Sequence, residues 1–196
     1  MFILRVNREI DYMRDAEEMV SDTLVEVKTS VKPGVSKRKL DKIAEKYIRS
    51  CGTIPPFEDY TLYSLKKLKN GDNVNNDIKQ VMFRKNNKIA RTFPTGEVNA
   101  KLYENLDIII FSLSKGIEKA IAVSCLGDIS NAVQTFAKNY SYGIVRDYVG
   151  HGIGEKMHED PQIPNYGSAS RGPRFQSGKT LAIEPMINLG THKSRH

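Results

Sequence analysis

Apolar residues recur at three- and four-residue steps through Ile10, Met13, Met19, Val20, Leu24, Val27 and Val31, the spacing that lines one face of an α-helix. Pro33 and Gly34 mark its end, because proline has no amide hydrogen and glycine tolerates the reversed backbone that closes a helix. Ser36 stands where it can cap a second helix whose buried stripe is Leu40, Ile43, Ala44, Tyr47 and Ile48, with Gly52 as its stop. Residues 57–71 are polar, lysine-rich and without a period, so they read as loop. Two β-compatible segments follow, Asn73 to Phe83 and Lys88 to Phe93, joined by the polar turn Arg84-Lys85-Asn86-Asn87. Asp77 falls on the first strand, and Lys88 opens the second. The helical period returns through Leu102, Leu106, Ile109, Ile110, Leu113, Ile117, Ala120 and Ile121, and Ile129, Val133 and Phe136 predict a fourth helix. Late strands are expected at Tyr142 to Val149 and Thr180 to Asn188, the first emptying into a glycine-rich loop.

The pattern is mixed helix and strand, with no repeat, low-complexity tract or linker. With 196 residues, of which 39% are hydrophobic and 27% charged, the chain can bury one sizeable core, and residues 1–196 are expected to form a single domain. The apolar start, Phe2, Ile3, Leu4 and Val6, is too short for a signal sequence; a cytoplasmic protein that does not enter membranes is expected. Cys51 and Cys125 match no metal-ligand spacing and read as reduced thiols. The formal charge of +7 lies largely between Lys28 and Lys46 and between Lys66 and Lys88. Such a surface can attract ribosomes or RNA, although no aromatic-interleaved basic motif accompanies it, and solvated lysines are the simpler reading.

Candidate chemistry is concentrated in Val149-Gly150-His151-Gly152-Ile153-Gly154, then His158-Glu159-Asp160-Pro161, Ile163-Pro164-Asn165-Tyr166-Gly167, and Ile183-Glu184-Pro185-Met186. A metal-assisted hydrolase needs neutral imidazole and ionised carboxylate ligands around a divalent ion, plus a group that orients or protonates substrate. His151, Glu184 and Asp77 are ligands of the right kind. The glycines around His151 permit backbone geometries closed to other residues and let a substrate approach.

These motifs, with Arg146-Asp147-Tyr148 before them and Thr180-x-Ala182-Ile183-Glu184-Pro185-Met186-Ile187-Asn188 after, resemble type I methionine aminopeptidases of the M24 metallopeptidase family. The resemblance extends to Asn7-Arg8-Glu9-Ile10 through Ser50 and to Ala90 through Val98. It implies an α+β pita-bread fold, a curved antiparallel sheet flanked by helices with the site on the concave face. It also implies removal of initiator methionine from nascent proteins in the cytoplasm by a water that the metal activates, with cobalt, manganese, iron or zinc as the ion. By the same resemblance His151 and Glu184 match metal ligands, and His158 matches the histidine that hydrogen-bonds substrate and stabilises the tetrahedral intermediate. Leu68-Lys69-Asn70-Gly71-Asp72-Asn73-Val74-Asn75-Asn76-Asp77 runs without a gap along the family's L-K-x-G-D-I-V-N-I-D, so Asp77 matches the first aspartate ligand.

Carried on to Ala90-Arg91-Thr92-Phe93, the same alignment puts Lys88 on the second aspartate, so a bridging carboxylate is replaced by a cation. Only seven residues separate Tyr60 from Leu68, where the family has a longer stretch ending in a substrate-contacting His-Gly-Ile-Pro. The C-terminal strands and last glutamate ligand of the family have no counterpart before His196, so the fold is expected to be incomplete at that end. These departures predict at most one bound ion, or none, with Lys88 able to stand in for the cation, and low or absent activity. The alternative class is a pseudoenzyme that binds protein or ribosome and RNA without catalysis, or a decayed gene product.

Overall fold

The computed structural model describes residues 3–53, 67–82 and 85–191, with the backbone alone at 75–82 and 85–88. The chain divides into two compact units. The unit of Arg8–Ala100 with Gly154–Met157 is built on α1 (Asn7–Ser30), α2 (Lys37–Ser50) and the antiparallel pair β1 (Asn73–Met82) and β2 (Lys85–Pro94). Its core is the predicted stripe of α1 and α2: Val20, Leu24, Val27, Leu40, Ala44 and Ile48 pack with Val74 and Phe93. Each large aliphatic residue so enclosed contributes about 1.5–3 kcal/mol. Thr23, fully buried on the same stripe, satisfies its hydroxyl by donating to the Met19 carbonyl at 2.8 Å. Ser36 caps α2 as expected, accepting from the Lys39 amide at 3.3 Å, and Gly52 takes a positive φ just past α2; α1 ends at Ser30, ahead of the expected Pro33-Gly34, where Gly34 takes a positive φ in the turn between the helices.

Of the predicted loop 57–71, residues 57–66 lie outside the described residues, as does most of the stretch near 60–68 that is expected to lack a segment. The remainder is ordered by hydrogen bonds. Leu68 exchanges backbone bonds with Gly34 and Val35, and the turn at Lys69 to Asp72 closes on Thr95 through Gly71. Of the expected turn at Arg84 to Asn87, Arg84 lies outside the described residues, and Lys85, Asn86 and Asn87 belong instead to β2, opposite Met82, Val81 and Gln80. Ladder pairing overrides the weak strand preference of lysine and asparagine.

The unit of Met1–Asn7, Lys101–Ile153 and His158–His196 contains α3 (Ala100–Ile117), α4 (Leu126–Asn139), β3 (Tyr142–Ile144), β4 (Gly150–Gly152), β5 (Glu159–Ile163), β6 (Leu181–Ala182) and β7 (Ile187–Leu189). Helix α3 stops at Ile117 rather than continuing to Ile121. Its last amides shift to carbonyls three residues back, and the chain then turns at Val123 with φ +74°. Helix α4 begins where Asp128 reaches back to the Cys125 amide at 2.7 Å, satisfying a donor left free at a helix start. Gly116 lets α3 lie against α4: a Cβ there would come within 2.9 Å of Val133. Cys51 is exposed, Cys125 is buried, and both are free thiols.

Two small antiparallel sheets complete this unit, β3–β7 and the three-stranded order β5–β4–β6. Both long late strands of the sequence reading are shorter than expected. Tyr142–Val149 pairs only to Ile144, and Thr180–Asn188 breaks into β6 and β7 with Glu184 in the irregular segment between them. The glycine-rich segment, in contrast, is a strand, β4, and it lies in the middle of its sheet. Among the described residues no helix is long and apolar enough to cross a membrane.

Candidate metal centre

His151 occupies the centre of β4, opposite Gln162 of β5 on one side and Ala182 of β6 on the other. The glycines flanking it are required by space rather than by turning. A Cβ at position 150 would lie 3.3 Å from the Ala182 carbonyl carbon and 3.4 Å from the Glu184 amide nitrogen, and closer still to the Ala182 oxygen. At position 152 it would lie 2.9 Å from the Asp160 carbonyl carbon and 3.0 Å from the Glu159 oxygen. Each glycine thus lets one neighbouring segment close on His151, Gly150 the one that carries Glu184 and Gly152 the one that follows His158. The β4–β5 register shifts between His151 and Gly152, and the extra residues on β5 are Asp160 and Pro161. Proline has no amide to pair, which suits it to such an irregularity.

The imidazole is almost wholly enclosed, and its Nδ1 lies 2.7 Å from the Gly152 carbonyl oxygen. A carbonyl only accepts, so Nδ1 carries a proton, and in the neutral ring Nε2 is the nitrogen with the free lone pair. That Nε2 is buried and has no hydrogen-bond partner among the described residues. It faces Glu184, with Oε2 at 3.6 Å, beyond hydrogen-bonding range, and a side chain 18% exposed. The Nε2 lone pair of a neutral ring and the facing carboxylate are two donors that a cation between them would satisfy. The spacing suits one: two ligands at ~2.1 Å on a tetrahedral ion stand roughly 3.4 Å apart. The donor set of imidazole and carboxylate fits a divalent transition metal.

Two further residues complete the described site. Asn165, 1% exposed, donates its side-chain amide to the Glu184 carbonyl at 2.7 Å and so fixes the irregular segment that carries the carboxylate. His158, exposed just before β5, sets its ring edge-on to His151 with centroids 4.3 Å apart and planes at 60°. The structure therefore places His158 and Glu184 each beside His151. Asp77 and Lys88 belong to the other unit, on β1 and β2, and their side chains lie outside what is described. Their register is informative. Asp77 is opposite Ala90 and Lys88 is opposite Lys79, so Asp77 and Lys88 are diagonal positions on one face of the ribbon. Among the described residues no group of three histidine, cysteine or acidic side chains converges.

Sequence reasoning passed over Arg5, whose guanidinium is buried against Glu159 at 2.5 Å. The available signal was a lone charge inside the apolar run Phe2, Ile3, Leu4, Val6. It also assigned Gly150 and Gly152 to loop flexibility, whereas the sheet needs them for close packing.

Known proteins resemble this chain in sequence and fold. The family model described as Metallopeptidase family M24 matches residues 11–194. The chain is similar to the methionine aminopeptidase of Clostridium acetobutylicum, with 37% identity over 98% of this chain and 84% of that protein. It is also similar to the crystal structure of methionine aminopeptidase from Rickettsia prowazekii, with a TM-score of 0.94 and 30% identity over 98% of this chain and 85% of that one. The prolidase of Pyrococcus furiosus shares the fold at a TM-score of 0.82 and 24% identity, over 96% of this chain and 58% of that one.

Proposed function

The chain belongs to metallopeptidase family M24, and on that premise we propose that it releases N-terminal methionine from peptides, slowly, with one divalent ion bound at His151 and Glu184; Asp77 is the further ligand that the family resemblance implies. Its fold is the pita-bread fold of the methionine aminopeptidase and prolidase structures it matches. The single family match across residues 11–194 supports reading 1–196 as one domain. The observation that carries the proposal is the orphaned, buried Nε2 of His151 facing the Glu184 carboxylate.

A divalent ion held there supplies Lewis acidity, which polarises a peptide carbonyl and lowers the pKa of water toward ~7. Cobalt, manganese, iron and zinc all accept histidine and carboxylate donors. The chain's own residues do the rest. The Gly152 carbonyl holds the His151 ring in the tautomer that leaves Nε2 as a ligand. Asn165 holds the backbone of Glu184. His158, exposed and edge-on to His151, is placed to hydrogen-bond the substrate peptide and to stabilise negative charge developing on its oxygen. Lys88 stands where the family resemblance asks for a second bridging carboxylate, and a cation there opposes a second metal by charge repulsion. One ion and slow turnover follow. Nascent chains in the cytoplasm are the proposed substrates, and the net charge of +7 favours proximity to ribosomal RNA.

Lys88 also favours a second reading, in which the chain binds protein or RNA without catalysis. Elemental analysis of the purified full chain, paired with methionine release from a Met-Ala peptide, separates the two. About one equivalent of metal with slow release is expected. Absence of both, with RNA binding that weakens steeply as salt rises, supports the second reading. Lys88→Asp should raise metal affinity and turnover; an unchanged titration removes Lys88 from the account.

A further inference from the structure

Among the described residues, three ion pairs sit in solvent. In Arg14–Asp11, Arg49–Glu45 and Lys115–Glu118 the side chains are 44–67% exposed. Arg5 and Glu159 are different: their side chains are 4% and 9% exposed, and Nη2 lies 2.5 Å from Oε2. Burying such a pair gains little stability over an apolar pair of similar size, because desolvating two charges offsets their attraction. A buried pair does fix direction, since the guanidinium fork meets a carboxylate in few orientations.

What it fixes is the flank of the metal centre. Glu159 is the first residue of β5, stands opposite Gly152 in the sheet and directly follows His158. The Arg5 segment is anchored as well. Its amide donates to the Gly178 carbonyl at 2.7 Å, and Gly178, at φ +92°, has no room for a Cβ, which would lie 2.8 Å from the Arg5 oxygen. Two residues on, Thr180 donates its hydroxyl to the Ile153 carbonyl at 2.5 Å, next to β4. Arg5 thus ties the segments on both sides of β4 to one buried point.

We infer that Arg5 is a positioning residue of this centre: through its buried ion pair with Glu159 it holds the ring of His158 against His151. The catalytic consequence rests on the proposed aminopeptidase reading, whereas the placement of the ring does not. When both partners are removed together in Arg5→Met/Glu159→Met, no charge is left unpaired and the chain should stay folded.

In metal-free protein labelled at histidine, NMR cross-relaxation between the His151 and His158 rings should be clear in wild type and in Arg5→Lys, and lost in the double variant. In metal-loaded protein the double variant should lose kcat by roughly 10- to 100-fold, the scale of misplacing a group by up to about 1 Å. KM and metal content should change by less than about 3-fold, because the lost interaction is one made in the transition state. If the double variant fails to fold, Arg5→Met/Glu159→Gln, which also leaves no charge unpaired and keeps the size of the glutamate, carries the same expectation. Intact ring contacts and unchanged kcat in a folded variant would overturn the inference. Absence of metal and turnover in wild type would overturn the aminopeptidase reading instead, and the metal-free ring contact would still decide the role of Arg5.

Discussion

Replacing Gly152 by alanine tests the packing on which the candidate centre depends. The new methyl would stand 2.9 Å from the Asp160 carbonyl carbon and 3.0 Å from the Glu159 oxygen, against an ordinary contact of at least 3.4 Å. These obstacles and the still closer Asp160 carbonyl oxygen are all backbone, so no rotamer relieves them, and β5 must retreat by about 1 Å. Overpacking of this kind costs about 1–3 kcal/mol. For a chain of this length each kcal/mol lowers Tm by roughly 2–4 °C, so calorimetry should record a fall of roughly 2–12 °C. The retreat carries Glu159 and the adjoining His158 away from His151. Methionine release from a Met-Ala peptide should therefore fall by roughly 10- to 100-fold, with metal content retained. Gly150→Ala presses instead on Ala182 and the Glu184 amide, so its larger effect should be on metal affinity. The reasoning fails if Gly152→Ala keeps both the Tm and the turnover of wild type.

Three further outcomes are expected. His151→Ala removes the orphaned Nε2 and should weaken metal binding by more than ~100-fold, the upper range for losing even an outer-shell partner of a metal ligand; calorimetric titration that finds unchanged affinity refutes the ligand assignment. Ile163→Ala empties a fully buried position on β5 and should cost about 2–5 kcal/mol in urea unfolding, with a cost under 1 kcal/mol showing that the site is not closely packed. The Asp128 carboxyl is held below its ordinary 3.8 by the Ser170 and Cys125 amides that donate to it. A group depressed in the folded state contributes stability that is present above its unfolded pKa and lost as pH falls through the folded one. Asp128→Ala should therefore be less stable than wild type at pH 7, with the gap narrowing below about pH 3.8; a gap independent of pH contradicts the assignment.

The helices were legible because a buried stripe must repeat with the helical period wherever it packs. Val20, Leu24, Val27, Leu40 and Ile48 lie in the core where the spacing puts them, and Ser36 caps the helix that its side chain can cap. Strand limits were less legible. A strand ends where its partner ends, and no local residue records that β3 finds β7 only as far as Ile144 or that Lys85 continues opposite Met82. Helix α3 stops short of its apolar pattern for the same reason, with Ile121 and Val123 left 59% and 71% exposed.

For the site, residue chemistry and motif spacing named His151, His158 and Glu184 as one constellation, because ligand types and their order are properties of the chain itself. Whether a histidine has a free nitrogen is not such a property. That depended on the Gly152 carbonyl taking the Nδ1 proton, on Glu184 arriving at 3.6 Å, and on two glycines narrow enough for both neighbouring segments to close. Arg5 shows the same division most sharply. Its charge in an apolar run is plain in the sequence, but its partner is 154 positions away, and only tertiary folding brings two such groups out of water together, where burial makes their pairing obligatory.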